Sequence, residues 1–363
     1  MKILFMTNES LENPKRGTPI RICNFIKQMQ RFNKVVVFSN GNAPGFVKNF
    51  HPQPNVSFIS KLLYFRNFII RENIDWVITA TDMAISLPVF LKILTGIKIA
   101  VDLHGLYAME MYEQGHMSKL KSYLLQKKIN YFLHFYDIIF TVSKKLKYYY
   151  KFLNKQIEVV YGGVTESEFY SGEVVAPEIF TIGYTGNAKP YQGIDALLKV
   201  VSKIKKDGSF PFRLNMIMSS GRGEIEDTLK KLDLFDSTDL NFKVSHEDVP
   251  ALIAKSSVLV LARPSLHMTE YAYPSKLPEY LATGIPVVTT RVGPVNELFR
   301  DSGCMIIIEP ETVEEGLEKA LVKLQSMRKE DREAIGQKAI GFVRENLMWN
   351  LLGQKINKCL EKV

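Results

Sequence analysis

The stretch from Tyr271 to Thr290, YAYPSKLPEYLATGIPVVTT, predicts a loop, a helix and a buried strand in quick succession. The helix is expected to begin near Pro274 and Ser275 and to end at Gly284, because glycine commonly follows the last turn of a helix. The apolar, β-branched run from Ile285 to Thr290 is typical of a strand in the middle of a parallel sheet. The stretch therefore indicates an α/β fold.

The start of this predicted helix is a candidate site for a phosphate group. The first backbone N–H groups of a helix have no partner within it, and the helix dipole is positive at that end. The Ser275 hydroxyl is expected to cap the helix, and Lys276 adds a cation beside a bound anion. Glu279 follows about one turn later, where its carboxylate would accept hydrogen bonds from a ribose diol. The alternative is an ordinary amphipathic helix with Glu279 in solvent.

The rest of the chain alternates short β-branched or aromatic runs with longer stretches of helical spacing, which predicts parallel sheets with helices on both faces. Helices are predicted, among others, at Thr18 to Arg31, Lys61 to Arg71 and Lys119 to His134. Strands are predicted at Lys2 to Met6, Val35 to Phe38, Trp76 to Thr79, Lys98 to Asp102, Ile138 to Val142, Phe180 to Tyr184, Phe212 to Met218, Val258 to Leu261, Pro286 to Thr290 and Met305 to Ile308.

The alternation stops and restarts once, which indicates two domains. A polar segment without clear periodicity runs from Tyr161 to about Pro177 and is interpreted as a linker. Residues 1–165 and 166–345 are predicted to form two doubly wound α/β domains, and 346–363 a final helix. Because ligands bind beyond the carboxyl ends of parallel strands, both domains would present loops to a cleft between them.

The cysteines and the hydropathy of the sequence indicate the cellular compartment. Three cysteines in 363 residues are far apart and form no C-x-x-C pair, which argues for a reducing compartment and against a structural metal or disulfide framework. The first ten residues, MKILFMTNES, have too short an apolar run for a signal peptide. No apolar run approaches the length of a membrane span. We therefore expect a cytoplasmic protein.

The positive charge lies in one half of the chain. Residues 1–170 hold 22 Lys and Arg against 12 Asp and Glu, whereas residues 171–363 hold 25 against 26. A one-sided basic field favours an anionic partner such as a membrane surface, a nucleic acid or an acidic glycan. Of these we do not expect a nucleic acid.

The opening stretch resembles the nucleotide-binding signature of retaining glycosyltransferases of the GT-B fold, family 4, in the variant S-K-L-x-E-Y-L-A-x-G-x-P-V-V. The matching residues are Ser275, Lys276, Leu277, Glu279, Tyr280, Leu281, Ala282, Gly284, Pro286, Val287 and Val288. The resemblance implies two Rossmann-like domains facing a cleft, with the last helix crossing back onto the first. It also implies a nucleotide-sugar donor, retention of anomeric configuration, and no metal or other cofactor. Donor-binding residues carried over from this stretch are Tyr273, Pro274, Ser275, Lys276, Leu277 and Glu279.

Further residues of the second domain match the family in part. Gly186 ends a predicted strand; the family keeps an Arg after it and a Lys before the next Gly, both on the leaving diphosphate. This chain has Asn187 and Gln192 there, so Lys189 is expected to supply the charge instead, unless it is an exposed loop lysine. Arg263, which follows a strand, is a second candidate cation because Arg binds phosphate in bidentate fashion, although it could equally be a surface residue.

The family also places an acid eight positions before Glu279, where this chain has Tyr271. The nearest acid is Glu270, one residue early, and it would contact the donor sugar if the loop carries an insertion. Otherwise backbone N–H groups near Ala272 and Tyr273 must serve.

Two residues of the first domain are candidates. Gly17 matches the family's glycine loop, and a glycine before a helix lets the backbone approach a phosphate; a plain loop-to-helix turn is the alternative. His104 follows a predicted strand and matches the histidine that the family places over the donor sugar. A lone His is more often structural, and its place after a strand favours the functional role. The predicted catalytic set is His104, Lys189 and Arg263.

Basic helices of the first domain suggest where an anionic partner binds. Lys119 to Tyr136 and Ser143 to Phe152 combine lysines with aromatic and aliphatic residues. In the second stretch Lys144, Lys147 and Lys151 would share one helical face, opposite Leu146, Tyr150 and Leu153. Such helices can lie on an anionic membrane, and we expect the protein to be peripheral on the inner face of the plasma membrane. A solvated lysine face is the alternative.

These observations favour a glycosyltransferase that moves a sugar from a UDP- or GDP-linked donor to a glycan or lipid-linked acceptor, in cell-surface polysaccharide or glycolipid synthesis. Two alternatives remain. One is a nucleotide-sugar 2-epimerase of the same fold, which would need more cleft acids and histidines than this chain offers. The other is a non-catalytic nucleotide-sugar-binding partner, which the replaced Arg, Lys and Glu positions favour.

Overall fold

The structure is a computed structural model that describes residues 1–12, 17–39, 48–50, 57–80, 85–168, 177–245 and 248–363. These ranges contain thirteen β-strands, all paired in parallel. The strands are β1 (Lys2–Met6), β2 (Lys34–Phe38), β3 (Lys48–Phe50), β4 (Trp76–Ala80), β5 (Lys98–Leu103), β6 (Ile138–Thr141), β7 (Gln156–Val159), β8 (Phe180–Gly186), β9 (Phe212–Met218), β10 (Thr238–Phe242), β11 (Val258–Leu261), β12 (Val287–Thr290) and β13 (Ile306–Ile308).

Fifteen α-helices connect and follow these strands within the described ranges. None of them is both long and apolar enough to cross a lipid bilayer. The helices are α1 (Gly17–Gln30), α2 (Phe58–Glu72), α3 (Ser86–Thr95), α4 (Tyr107–Glu113), α5 (Lys119–Leu133), α6 (Lys144–Tyr149), α7 (Ile194–Lys206), α8 (Arg222–Lys231), α9 (Val249–Ile253), α10 (His267–Tyr271), α11 (Lys276–Ala282), α12 (Pro294–Phe299), α13 (Val313–Ser326), α14 (Lys329–Asn346) and α15 (Trp349–Lys362).

All ten predicted strands are confirmed to within two residues at each end. The three that were not predicted are β3, β7 and β10, and each of them forms an edge of its sheet. An edge strand is covered less completely, so its sequence need not be strongly apolar, as the polar run of β10, TDLNF, shows. The predicted linker falls partly on residues 169–176, which lie outside the described residues.

The chain divides into two compact units, with a sheet in each. The first consists of Met1–Gly162, Tyr271–Tyr273 and Trp349–Val363, and the second of Gly163–Glu270 and Pro274–Met348. The short segment Tyr271–Tyr273 thus belongs to the first unit, although the sequence pattern placed it in the second domain. The predicted cleft between the domains stays a prediction.

The first unit has a seven-stranded sheet in the order β3-β2-β1-β4-β5-β6-β7, covered on both faces. Successive side chains of a strand point to opposite faces, so Leu4 and Met6 of β1 join one core cluster while Ile3 and Phe5 join another. Buried residues of α2, α3, α5 and α6 belong to the first of these clusters. Those of α1 and α15 belong to the second. The unit is therefore doubly wound.

The second unit has a six-stranded sheet in the order β10-β9-β8-β11-β12-β13. Its main core cluster joins the strands to α7, α8 and α13, with fully buried side chains such as Leu197, Leu229 and Leu321. The sheet order reverses between β8 and its neighbours β9 and β11, which places a topological switch point beside β8. In such sheets ligands bind at the carboxyl ends of the strands that flank this point.

Close backbone contact between α14 and the end of α11 fixes the position of α11 in the second unit. A Cβ atom added at Gly336 in α14 would overlap the carbonyl group of Gly284, and one added at Gly284 would overlap the side chain of Ile340. Gly284 also has a positive φ of 74°, which glycine adopts at low cost. Both glycines are therefore required by packing.

Replacing Gly336 with alanine is expected to lower the free energy of unfolding by about 1–3 kcal/mol, because the added methyl group forces α14 away from α11. Gly341 of the same helix is a matched control, since a Cβ there has no atom within 4 Å. Alanine at 341 should instead stabilise the protein by about 0.5–1 kcal/mol. Urea unfolding of both variants measures this, and equal effects at 336 and 341 would contradict the packing argument.

Candidate functional site

Helix α11 begins one residue later than predicted, and its first turn differs from the expected capping arrangement. Ser275 occupies the N-cap position, but with helical dihedrals (φ −54°, ψ −27°) and without a side-chain hydrogen bond to the helix. The prediction that its hydroxyl caps the helix is wrong, because a capping side chain needs an extended backbone at that residue. The helix ends at Ala282, and the strand that follows begins at Val287.

Tyr280, which was matched only as part of the motif, anchors α11 to the end of β8. The backbone N–H of Thr185 donates to the Tyr280 hydroxyl at 2.7 Å, and that hydroxyl donates to Thr185 Oγ1 at 3.1 Å. The side chain is fully buried, and burial raises the pKa of Tyr280 to about 12, so it stays neutral. This pair of bonds places the first turn of α11 beside the carboxyl end of β8.

Lys276 projects from the start of α11 toward β8 and the loop behind it. Its Nζ donates to Gln192 Oε1 at 3.1 Å and lies 5.6 Å from the ring centroid of Tyr184. A Cβ at Gly186 would lie too close to the Lys276 Nζ and the Tyr184 hydroxyl, so the glycine lets the ammonium group approach the end of β8. The lysine side chain is thus held across the carboxyl end of a central strand.

The electrostatics of Lys276 are unusual for a lysine. Burial and the positive charge of Arg263 together lower the pKa of Lys276 to about 7, although the carboxylate of Glu279 partly opposes them. Two cations in a poorly solvated place disfavour each other's charge, and an anion bound between them would relieve this. The site therefore has the electrostatic character of an anion-binding site.

Arg263 lies where the sequence predicted, two residues beyond the end of β11. It is buried, with 9% relative exposure, so the reading as a surface arginine is wrong. The Thr290 hydroxyl donates to the Arg263 carbonyl at 2.6 Å and fixes its backbone to the end of β12. The structure thus brings Arg263, Lys276 and Glu279 together at the carboxyl ends of the strands of the second sheet.

The loop after β8 uses its polar residues differently from the prediction. Asn187 Oδ1 accepts a hydrogen bond from the Lys189 backbone N–H at 3.0 Å, and the Tyr184 hydroxyl donates to the Asn187 carbonyl at 2.9 Å. Asn187 therefore shapes the turn, while the side chain of Lys189 is exposed. Lys276, which Gln192 contacts, is the more enclosed of the two lysines.

Glu270 also has a structural task that the sequence did not reveal. One of its carboxylate oxygens accepts from the Ser265 hydroxyl at 2.7 Å and the other from the Gly293 backbone N–H at 3.2 Å. Gly293 has a positive φ of 51°, and a Cβ there would overlap backbone atoms of Glu270. Glu270 therefore ties α10 to the turn that follows β12.

Pro274 and Leu277 are buried where the chain enters α11, so their side chains support the helix. Tyr273, by contrast, packs in the first unit. Its ring centroid lies 5.8 Å from that of Tyr161, and a Cβ at Gly162 would collide with the Tyr273 ring. The segment just before α11 is thus held by Tyr161 and Gly162, at the end of the long N-terminal stretch of the first unit.

In the first unit His104 directly follows β5, as predicted. Its Nε2 pairs with Asp102 Oδ2 at 2.7 Å. The same carboxylate accepts bonds from Arg21, at 2.9 Å from Nε and 2.8 Å from Nη2. Gly17 is the first residue of α1, and Arg21 lies one turn further, so this ion pair fixes the start of α1 to the end of β5.

The pair formed by Arg21 and Asp102 is buried, with exposures of 8% and 0%. Burial would raise the pKa of Asp102, but the charges and hydrogen bonds of Arg21 and His104 outweigh it and hold that pKa well below its usual range. Arg21 also donates to the carbonyl groups of Val160 and Tyr161. The sequence offered no signal for this network, since residues 21 and 102 are far apart in the chain.

Two doubly wound parallel sheets in one chain, each with its candidate residues at the carboxyl ends of the strands, define the class of GT-B glycosyltransferase folds. Residues 172–342, most of the second unit, match the model of the family described as "Glycosyl transferases group 1". No curated protein matches the chain in sequence.

Solved structures resemble the whole chain. Sucrose-phosphate synthase from Thermosynechococcus elongatus matches with a TM-score of 0.79 at 13% identity, covering 100% of this chain and 99% of that one. A glycosyltransferase from Rickettsia africae has a TM-score of 0.77 at 16% identity, covering 99% and 98%. HepE from Anabaena, solved in complex with UDP-glucose, has a TM-score of 0.75 at 14% identity and full coverage of both chains. At these identities the likeness shows the fold.

Proposed function

We propose that the protein is a retaining glycosyltransferase of family 4 that moves a sugar from a UDP- or GDP-linked donor to a glycan or lipid-linked acceptor. We assign it to cell-surface polysaccharide or glycolipid synthesis. The observation that carries the proposal is the enclosed pair of cations, Lys276 and Arg263, at the carboxyl ends of the strands of the second sheet. This sheet lies within the residues that match a glycosyltransferase family. The similar Anabaena structure holding UDP-glucose supports a nucleotide sugar as the donor.

The proposed chemistry follows from these charges. When the bond between the sugar C1 and the phosphate oxygen breaks, negative charge develops on the diphosphate, and Lys276 and Arg263 would stabilise it. The acceptor oxygen would bond to C1 on the face that the diphosphate leaves, and its proton would pass to a phosphate oxygen. No protein nucleophile takes part in this scheme. Glu279 would accept hydrogen bonds from the ribose hydroxyls, and His104 would contact the donor sugar.

We also propose that the reaction needs no metal ion. The positive charge that a divalent cation would bring to a diphosphate can be supplied by one lysine and one arginine. Full activity in the presence of a chelator would support this, and activity restored only by added Mg²⁺ or Mn²⁺ would contradict it.

We place the protein in the cytoplasm, peripheral to the inner face of the plasma membrane. Its three cysteines, Cys23, Cys304 and Cys359, are all free and buried. Burial raises the pKa of each thiol, which keeps these residues unreactive and suits a reducing compartment. Fractionation of cells expressing a tagged chain tests the assignment.

A non-catalytic nucleotide-sugar-binding protein is the second candidate. It is favoured by Asn187 and Gln192, which replace the Arg and Lys of the family, and by the engagement of Asn187 Oδ1 within its own turn. Incubating the purified protein with a panel of UDP- and GDP-sugars separates the two candidates. Release of free nucleotide supports the transferase, whereas binding without turnover under every acceptor supports the binding protein. Failure to bind any nucleotide sugar would contradict both.

Replacing Glu279 with alanine is expected to weaken the binding of UDP or GDP by about 10- to 100-fold, since hydrogen bonds to a charged group contribute about 1.5–3 kcal/mol. Glu279 lies in the first turn of α11 and is partly exposed, so the fold should be retained. Glu345 of α14 is exposed, and its replacement with alanine is the matched control. Calorimetric titration measures both, and unchanged affinity at 279 would refute its ribose role.

A further inference from the structure

Four helices of the first unit lie over the same face of its sheet. Buried residues from α2, α3, α5 and α6, such as Phe65, Leu91, Leu133 and Leu146, belong to one core cluster on that face. The outer sides of these helices therefore lie on the same side of the unit. We call this surface, formed by α2, α3, α5, α6 and the 3₁₀ turn Lys151–Leu153, the four-helix surface.

Large apolar side chains are exposed along all parts of the four-helix surface. The most exposed, Leu120, Ile59 and Ile93, retain 67–68% of their accessible area. Scattered single apolar residues are ordinary on a protein, but a concentration on one side indicates a binding surface. The exposed residues are Phe58, Ile59, Leu63, Tyr64, Ile70, Phe90, Ile93, Leu94, Leu120, Tyr123, Leu124, Tyr131, Tyr148 and Phe152.

Aromatic contacts show that the exposed residues of different helices are neighbours. The ring of the exposed Phe90 in α3 lies 5.6 Å from that of the exposed Phe58 in α2 and 6.3 Å from that of the partly buried Phe132 in α5. At the end of α5 the ring of His134 lies 6.1 Å from Phe152 in the 3₁₀ turn. The apolar groups thus continue from helix to helix across the surface.

The charge of the four-helix surface is predominantly positive. Its elements contain twelve Lys and Arg residues and a single acid, Glu72, which pairs with Arg71, while Lys92 pairs with Asp137 beyond the end of α5. Helix α5 alone carries Lys119, Lys121, Lys127 and Lys128, all exposed, with no acidic residue. Because Lys121 and Lys128 are seven residues apart, they lie on nearly the same side of the helix, beside Leu120 and Leu124.

The combination of exposed apolar groups and many cations favours an anionic lipid bilayer as the partner. A partner protein that buries apolar groups of this surface would also have to supply acids for most of twelve cations, whereas an anionic bilayer offers both an apolar interior and a dense negative surface. Lysines hold such a surface electrostatically while neighbouring leucine, isoleucine and aromatic groups enter the boundary between headgroups and acyl chains. Each lysine near an anionic leaflet contributes about 1 kcal/mol.

We propose that the four-helix surface, and not only α5 and α6, docks the first unit onto an anionic lipid bilayer. The sequence indicated α5 and α6; the structure adds α2 and α3, whose exposed residues adjoin theirs. The proposal rests on the peripheral placement proposed above and names the surface responsible for it. It does not depend on sugar transfer, because a nucleotide-sugar-binding protein with this surface would dock equally.

Sedimentation with lipid vesicles, in the absence of nucleotide, tests the proposal. The full chain should bind vesicles made of equal parts phosphatidylcholine and phosphatidylglycerol, bind pure phosphatidylcholine at least about tenfold more weakly, and lose binding as salt is raised. Replacing Lys121 and Lys128 with glutamine should weaken binding by about tenfold or more, at about 1 kcal/mol for each lysine. Replacing Leu120 and Leu124 with serine should weaken it by a similar factor at high and low salt alike.

The matched control is the pair Lys358 and Lys362, which are exposed on α15 over the opposite face of the same sheet. Their replacement with glutamine should leave vesicle binding within about twofold, a change below 0.5 kcal/mol that is typical of surface substitutions. Equal losses from both lysine pairs would overturn the proposal, because they would report only net charge. A second result would also overturn it. If the chain does not bind vesicles but self-associates, and replacing Leu120 and Leu124 abolishes the self-association, the surface contacts a second copy of the chain.

Discussion

Replacing Lys276 with methionine is expected to weaken the binding of UDP or GDP by about 100-fold. The ammonium group lies at the carboxyl end of β8, next to Gly186 and hydrogen-bonded to Gln192, where burial and Arg263 favour any arriving anion. Hydrogen bonds between charged partners contribute up to about 3 kcal/mol, which corresponds to the expected factor. Methionine has a similar shape without the charge, so the variant should fold.

Nucleotide affinity should also depend on pH in a direction that Lys276 sets. Its pKa is lowered to about 7 in the free protein, and a bound diphosphate would raise that pKa because it stabilises the ammonium form. Binding then takes up a proton above pH 7, and affinity should fall by up to about tenfold for each further pH unit. In the Lys276→Met variant this part of the pH dependence should be absent.

Stability provides a test that does not need a ligand. The folded-state pKa of Lys276 is below its unfolded value, so the unfolded chain binds more protons between about pH 7 and the ordinary lysine range. This group therefore opposes folding most strongly below pH 7, and the opposition disappears as the pH rises. Methionine at 276 should stabilise the protein at pH 6, and its advantage should shrink toward pH 10.

Lys206→Met, at an exposed position of α7, is the control, and it should change neither stability nor nucleotide affinity. Calorimetric titration and urea unfolding across the pH range measure the effects. If the stability advantage of the Lys276→Met variant is the same at every pH, the folded protein does not lower the pKa of Lys276.

Replacing Arg21 with methionine is expected to lower the free energy of unfolding by about 3–5 kcal/mol, the usual result of leaving a buried charge without its partner. Asp102 is fully buried and receives two hydrogen bonds from Arg21. The same change removes the donors to the Val160 and Tyr161 carbonyl groups. Arg31→Met, just beyond the end of α1 and exposed, is the control and should cost less than about 0.5 kcal/mol.

The pH dependence of this variant has a defined sign. In the unchanged protein the pKa of Asp102 is lowered, so its contribution is complete above the ordinary aspartate range and is lost as the pH falls below that range. Without Arg21 only His104 remains beside the buried carboxylate, so the pKa of Asp102 should rise and the variant should lose less stability in acid than the unchanged protein. Adding Asp102→Asn should recover at least about 1 kcal/mol, because the charge that Arg21 no longer compensates is removed. Urea unfolding that shows no recovery in the double variant would contradict the account.

Much of the fold could be predicted from the sequence, because buried parallel strands are apolar and bounded by helical spacing. The strands that were not predicted, β3, β7 and β10, are edge strands with weaker apolar patterns. The expectation of one helix across Ser143 to Phe152 was wrong, because α6 ends at Tyr149 and Lys151 begins a 3₁₀ turn. The exposed lysines and the buried Leu146, Tyr150 and Leu153 nevertheless separate as predicted.

The candidate site was predicted only in part. The motif located Lys276 and Glu279, and the strand ends located Arg263 and His104. Most of their partners could not be predicted, because Gln192 and Lys276, Tyr280 and Thr185, and Arg21 and Asp102 are pairs separated by about 80 residues or more. Nor could the sequence show that both oxygens of Glu270 accept hydrogen bonds within the unit.

By itself the sequence determined the α/β class, the two successive sheets and the helix start that carries the lysine, because apolar periodicity and local turn residues depend on near neighbours along the chain. Only the tertiary structure decided which charges are buried together. The lowered pKa of Lys276, the ion pair under His104 and the basic, apolar surface over four helices each depend on distances between segments that the chain separates widely. Burial and Coulomb interactions act through space, and local sequence patterns do not record them.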